Sequence, residues 1–152
     1  MSLESDISLL RRIPLFADLP AEQLRLVAFS SSRVELSKGD VLFKEGEAAR
    51  TGYVVASGGL ELTRDGIGAA RGATPCEPGS LIGEMALFVE TKRPATATAL
   101  EKTELLEIDR KQITRMLLEY PHLALRLRAK LSERLKATVA DLTRLQRDLG
   151  GR

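Results

Sequence analysis

Ten of the twelve glycines fall between Gly39 and Gly83, and the other two, Gly150 and Gly151, sit at the end of the chain. Glycine weakens the interior of helices and strands and is placed where a chain must turn sharply. A middle section broken this often holds only short elements, whereas its glycine-poor flanks can form helices. The chain therefore divides into helix, turn-rich middle and helix. Its 152 residues are the length of one domain, and 43% hydrophobic with 29% charged residues can bury an ordinary core.

In the middle, short strands alternate with turn chemistry. Strands are expected at Arg33–Leu36, Val41–Phe43, Gly52–Ala56, Leu60–Thr63, Ser80–Ile82, Thr96–Leu100 and Glu104–Ile108, with turns at Lys38-Gly39-Asp40, Glu45-Gly46-Glu47 and Asp65-Gly66 with Gly68. Ser57-Gly58-Gly59 reads as a tight hairpin. Many short strands at close spacing predict a rolled or sandwiched β core rather than a parallel sheet. On the N-terminal flank, residues 5–12 read as a helix capped by Ser5 or Asp6. Residues 21–29 read as a second, entered through Asp18 and Pro20, with Leu24, Val27 and Ala28 on its apolar face.

On the C-terminal flank, Arg110–Glu119 is a helix that must stop at Tyr120-Pro121, because proline disfavours helical geometry in the residue before it. From Pro121 a second helix is expected to run to Leu149, roughly 28 residues and about 40 Å long. From Leu131 its apolar positions (Leu131, Leu135, Leu142, Leu145, Leu149) follow 4-3-4 spacing with Thr138 in the seam, a pattern that favours a homodimer. Net charge is +2, but residues 121–152 carry a local +5, read as the solvated face of that helix.

Composition narrows the function. A 4% aromatic share without tryptophan disfavours base-stacking platforms. One cysteine, Cys76, and one histidine, His122, exclude an internal disulfide and the usual zinc sites, so no metal and no cofactor is expected. No apolar run suits a membrane span and no signal peptide opens the chain, so a soluble cytoplasmic protein is expected. Nucleophile-elbow, Walker and HExxH motifs are all missing, so no enzyme activity is expected.

The stretch Ser80–Thr98, SLIGEMALFVETKRPATAT, carries the chemistry. A strand ends at Ile82, Gly83 permits a sharp turn, and Glu84–Leu87 can form one helical turn whose free N–H groups suit a phosphate. Arg93 follows nine residues after Glu84; its forked, permanently charged guanidinium suits a buried phosphodiester. Glu84 can accept from a sugar hydroxyl or orient Arg93. On spacing alone, a structural Glu84–Arg93 pair at a turn fits equally well.

The motif Gly83-Glu84-Met85-Ala86-Leu87, a loop, then Arg93-Pro94-Ala95-Thr96 resembles the phosphate-binding cassette of cyclic nucleotide-binding domains, the family of catabolite activator and protein kinase A regulatory subunits. IPLFADLPAEQL (13–24), GDVLFKEGE (39–47) and GYVVASGGLEL (52–62) are similar to the family's opening helices, first hairpin and next strand pair, so the resemblance covers roughly residues 9–149. It implies a mainly β fold with flanking α: a jelly-roll-like β-roll (31–109, cassette 82–96), N-terminal helices (1–30) and a long C-terminal helical segment (110–149), together one domain. It also implies a bacterial sensor for cyclic AMP, with cyclic GMP second, in which Arg93 binds the cyclic phosphate and Glu84 the ribose 2′-hydroxyl. Gly83, Met85 and Ala86 would shape the turn, Pro94 and Ala95 would follow the arginine in the site, and Thr138 would face the adenine.

Two departures stand out. Val139 replaces a hydroxyl that reaches in from the partner subunit in the activator. Pro94 can offer the phosphate neither an N–H nor a hydroxyl, a loss of about 1.5–3 kcal/mol. No helix-turn-helix segment follows Gly150-Gly151-Arg152, so DNA binding by this chain is not expected. Three roles follow: a free-standing sensor with an unknown protein partner, the sensor piece of a longer transcription regulator, or a degenerate roll that binds a protein instead of nucleotide.

Overall fold

The structure, a computed structural model, describes residues 2–64, 73–130, 132 and 133. These residues group into two compact units, one ending at Met116 and one beginning at Leu117. The first contains helices α1 (Leu3–Arg11) and α2 (Ala21–Ser30) and ten strands: β1 (Ser32–Leu36), β2 (Val41–Phe43), β3 (Ala48–Ala49), β4 (Thr51–Ser57), β5 (Leu60–Thr63), β6 (Thr74–Cys76), β7 (Leu81–Ile82), β8 (Thr91–Lys92), β9 (Thr96–Ala99) and β10 (Thr103–Asp109). A single-turn helix, Glu84–Leu87, lies between β7 and β8, and α3 (Arg110–Glu119) follows β10.

The strands form two antiparallel sheets, ordered β1-β10-β4-β7 and β2-β9-β5-β6, with β3 and β8 as a short separate pair. Phe43, Tyr53, Val55, Leu60, Cys76, Ile82, Ala97, Ala99 and Leu105, drawn from both sheets, make one buried cluster, so the sheets face each other across it. Side chains alternate along a strand. Val54, Leu106 and Ile108 therefore point to the opposite face of the first sheet, where they are buried too. This is the mainly β architecture with flanking helices that the glycine distribution and the cassette implied.

Two local expectations are corrected. Helix α1 begins at Leu3 and is capped by Ser2, whose hydroxyl accepts from the Ser5 N–H while the Ser5 hydroxyl accepts from the Ser2 N–H. Asp6 is no cap; it is buried and paired with Arg33 of β1 at 2.7 Å. The stretch Ser57-Gly58-Gly59 is no hairpin, because β4 and β5 belong to different sheets. Gly58 (φ +81°) turns the chain across the corner, where a Cβ would run into the Lys102 carbonyl and the Thr103 hydroxyl. The Thr103 hydroxyl holds the corner by accepting from the Gly59 N–H at 3.1 Å and facing the Gly59 and Glu101 carbonyls at 3.0 and 2.8 Å.

Helix α2 buries Leu24, Val27 and Ala28, as its spacing predicts, and enters through Pro20 without a side-chain cap. Helix α3 ends at Glu119, the helix resumes over residues 121–130, and the break falls at Tyr120 ahead of Pro121. The Leu131–Leu149 seam, Thr138, Val139 and the Asp65–Gly68 turn lie outside the described residues, Leu131 included. Among the described residues no helix is long and apolar enough to cross a membrane, and no acidic, thiol or imidazole cluster could hold a metal.

Candidate functional site

Strand β7 ends at Gly83, whose left-handed φ of +77° starts the single-turn helix Glu84–Leu87. The turn closes on itself: the Ala86 N–H donates to the Gly83 carbonyl at 3.1 Å, and the Val89 N–H to the Met85 carbonyl at 3.0 Å. Leu87 is buried, and its side chain fills the space over Gly52 of β4. The chain then returns through β8 to Arg93. The Arg93 N–H donates to the Glu47 carbonyl and its carbonyl accepts from the Gly46 N–H, both at 2.8 Å. The backbone of Arg93 is thus pinned to the turn between β2 and β3, where Gly46 has φ +88°.

The Arg93 side chain lies inside the roll and is only 5% exposed. Its guanidinium carbon stands 4.3 Å from the centre of the Phe43 ring and 5.6 Å from that of Tyr53. Nη2 donates to the Thr51 hydroxyl at 2.9 Å. Among the described residues Nη1 is buried without a hydrogen-bond partner, and a Cβ on Gly83 would stand 2.5 Å from it. At φ +77° any side chain at this position would be strained, and it would crowd the guanidinium. Burial lowers the pKa of Arg93, while Tyr53, Glu47 and Glu107 pull it upward. Burial likewise pushes the Tyr53 phenol and the Cys76 thiol up, which keeps both neutral.

Beside Arg93 opens a cavity of about 350 Å³ lined by Phe43, Leu62, Cys76, Ile82, Gly83 and Pro94 among others. Arg93 carries the only charge among its described lining residues. That is the character of a small-molecule site: mostly apolar walls with a few convergent polar groups, in the range of roughly 300–1,000 Å³. A desolvated cation missing a hydrogen-bond partner attracts an anion strongly, because an unmet charged donor is costly to leave buried.

Of the residues singled out from sequence, Gly83, Arg93, Pro94 and Ala95 line this one cavity. Glu84, Met85 and Ala86 lie on the adjoining turn, with Glu84 partly exposed, Met85 exposed and Ala86 buried. Phe43, Thr51, Tyr53 and Glu107 were not anticipated. The aromatic residues at alternate interior positions of short strands were a signal, but one equally suited to plain core.

The pattern of a cassette turn, a returning arginine and an apolar cavity between two antiparallel sheets has known counterparts. The family described as cyclic nucleotide-binding domain matches residues 33–120, more than half of the chain. The chain belongs to the cyclic nucleotide-binding domain family. This is a regulatory ligand-binding family rather than a catalytic one. The cyclic AMP receptor protein of Thermus thermophilus is 35% identical over 130 residues, 85% of this chain and 60% of that protein. The chain thus spans about three-fifths of that relative's length.

Among solved structures, the N-terminal domain of a transcriptional regulator from Streptomyces coelicolor A3(2) is 36% identical, with a TM-score of 0.78 over 88% of this chain and 94% of that one. The regulatory domain of Toxoplasma gondii PKA in co-crystal with cAMP is 27% identical, with a TM-score of 0.69 over 74% of this chain and 43% of that one.

Proposed function

We propose that this cyclic nucleotide-binding domain is a cyclic AMP sensor that binds the nucleotide in the cavity beside Arg93. The observation that carries the reading is the buried guanidinium, 5% exposed, whose Nη1 has no partner. A cyclic phosphodiester is a compact monoanion, and it supplies the acceptor that nitrogen lacks. Glu84 takes the ribose 2′-hydroxyl, and Gly83, Met85 and Ala86 set the turn that approaches the phosphate. Ala95 and Pro94 close the wall behind it, and Thr138, outside the described residues, is the residue proposed for the base. Similarity to a cyclic AMP receptor protein and to a regulatory domain crystallised with cAMP favours adenine over guanine.

In this reading the chain is a sensor module, not an enzyme. Ligand binds one packing of the 110–149 segment more tightly than the other, and that difference in affinity is the whole of the signal. The C-terminal segment joins two copies, and the readout passes to a partner protein or to a DNA-binding region of a longer regulator. Pro94, which offers no N–H, makes the site weaker than one with serine there.

Thermal unfolding of the purified protein with cyclic AMP, cyclic GMP and 5′-AMP tests the reading. A ligand at about a hundred times its Kd stabilises by about 2.7 kcal/mol, a rise of several degrees in Tm. The expected order is cyclic AMP, then cyclic GMP, with 5′-AMP weakest. No rise with either cyclic nucleotide at millimolar concentration would make the roll a scaffold for a protein partner.

A further inference from the structure

The arginine does not stand alone in the cavity; four residues of the first and second sheets are arranged around its guanidinium. Thr51 and Tyr53 are two apart on β4 and so share its inner face. Tyr53 lies directly across from Glu107 of β10 in the sheet register. Phe43, from β2 in the opposite sheet, covers one side of the guanidinium, with its ring centre 6.1 Å from that of Tyr53. From the guanidinium, Nη2 donates to Thr51 at 2.9 Å. Burial raises the pKa of the Tyr53 phenol, Thr51 lowers it, and Glu107 across the ladder raises it further.

We propose that Thr51, Tyr53 and Phe43 are positioning residues of the anion site, holding the Arg93 guanidinium with Nη2 engaged and Nη1 turned to the Gly83 wall before any ligand arrives. The proposal rests on the reading of this cavity as the cyclic nucleotide site and names what prepares it. Arginine carries several freely rotating bonds, and fixing them at the moment of binding costs affinity. A guanidinium already clamped by two rings and a hydroxyl avoids that cost. Tyr53, opposite Glu107 in the register, seats the clamp on the central pair of strands, β4 and β10. A purely structural arginine would not need this arrangement, since an apolar side chain of similar size would fill the same space without an unmet nitrogen.

The test measures cyclic AMP Kd and Tm side by side for Thr51→Val, Thr51→Ser, Tyr53→Phe and Tyr53→Leu. Thr51→Val removes a hydrogen bond to a charged group and weakens binding about tenfold, and Thr51→Ser restores it. Tyr53→Phe keeps the ring and loses less, about threefold, whereas Tyr53→Leu loses both ring and hydroxyl and falls at least tenfold. A proton–nitrogen correlation spectrum of the ligand-free protein supplies a second, nucleotide-independent readout. The Arg93 side-chain N–H should give a separate, slowly exchanging signal that collapses onto the surface arginines in Thr51→Val and Tyr53→Leu.

If the wild type binds cyclic AMP and these two variants bind equally well, the proposal is overturned while the functional reading stands. If the wild type does not bind, the functional reading fails and the spectrum alone decides: a resolved Arg93 signal lost in the variants supports positioning, and an averaged signal overturns it.

Discussion

Two buried polar side chains, Thr103 and Arg93, occupy opposite kinds of place in the same roll. Thr103 is 0% exposed, and its hydroxyl meets three backbone groups of Gly59 and Glu101. Arg93 is 5% exposed, stacked on two rings and bonded to Thr51, yet Nη1 has no partner. A buried polar group whose bonds are all met belongs to the architecture. One that is buried with a charged donor unmet is stable only because the rest of the fold holds it, and it is ready for a ligand that completes it. Thr103 serves the fold, whereas Arg93 is where the proposed ligand would bind.

The largest way to break the comparison is Thr103→Val. It keeps shape and removes the hydroxyl, stranding the Gly59 N–H in a corner where Gly58 admits no rearrangement. The expected loss is about 3 kcal/mol of folding stability, read as a fall of several degrees or more in Tm. Cyclic AMP Kd, measured below that Tm, should remain unchanged. A variant that loses affinity while keeping its Tm would erase the distinction between the two residues.

Pro94→Ser works at the other pole, with a smaller effect. It returns an N–H and a hydroxyl to the residue after Arg93, beside the cavity. Affinity for cyclic AMP should rise about tenfold, equivalent to about 1.4 kcal/mol, with little change in the stability of the free protein. Competition with a fluorescent cyclic nucleotide would measure it, and an unchanged Kd would place the phosphate away from Pro94.

The smallest effect concerns Cys76, which touches both poles. It pairs with Leu60 next to the glycine corner and lines the Arg93 cavity. Its thiol is held above the ordinary value of 9.0 by burial, and the Tyr53 phenol above 10.0, again chiefly by burial. Between each ordinary value and the raised one, the unfolded chain has released a proton that the folded chain retains. Stability from these two groups is therefore intact below pH 9 and declines as pH rises beyond it. Tm against pH should be flat near neutrality in this respect, and in Cys76→Ala the decline should begin about one pH unit later.

Much of this was legible in the residues. Gly83 followed by EMAL dictated a sharp turn and a single helical turn, and Glu84–Leu87 forms one. Pro121 fixed the end of α3 at Glu119. Turn chemistry could not separate a hairpin from a corner at Gly58, because both need the same left-handed glycine. What decides is Thr103, more than forty positions away and visible only once β4 and β5 are assigned to different sheets.

The partners of Arg93 were hidden for a related reason. Thr51 and Phe43 are strand residues of ordinary type, and only the closing of the roll brings them to an arginine 42 and 50 positions later. Thr51 was also lost at a boundary, since β4 begins one residue before the expected Gly52.

The unmet nitrogen of Arg93 is the proposed receiver of a cyclic phosphate. Calorimetric titration with cyclic AMP of the wild type and of Arg93→Ala tests it most directly. Saturable binding by the wild type is expected, with a loss of about 2–5 kcal/mol in the variant, which removes the signal while the protein stays folded. Equal binding by both, or no heat from the wild type at millimolar cyclic AMP, would contradict it.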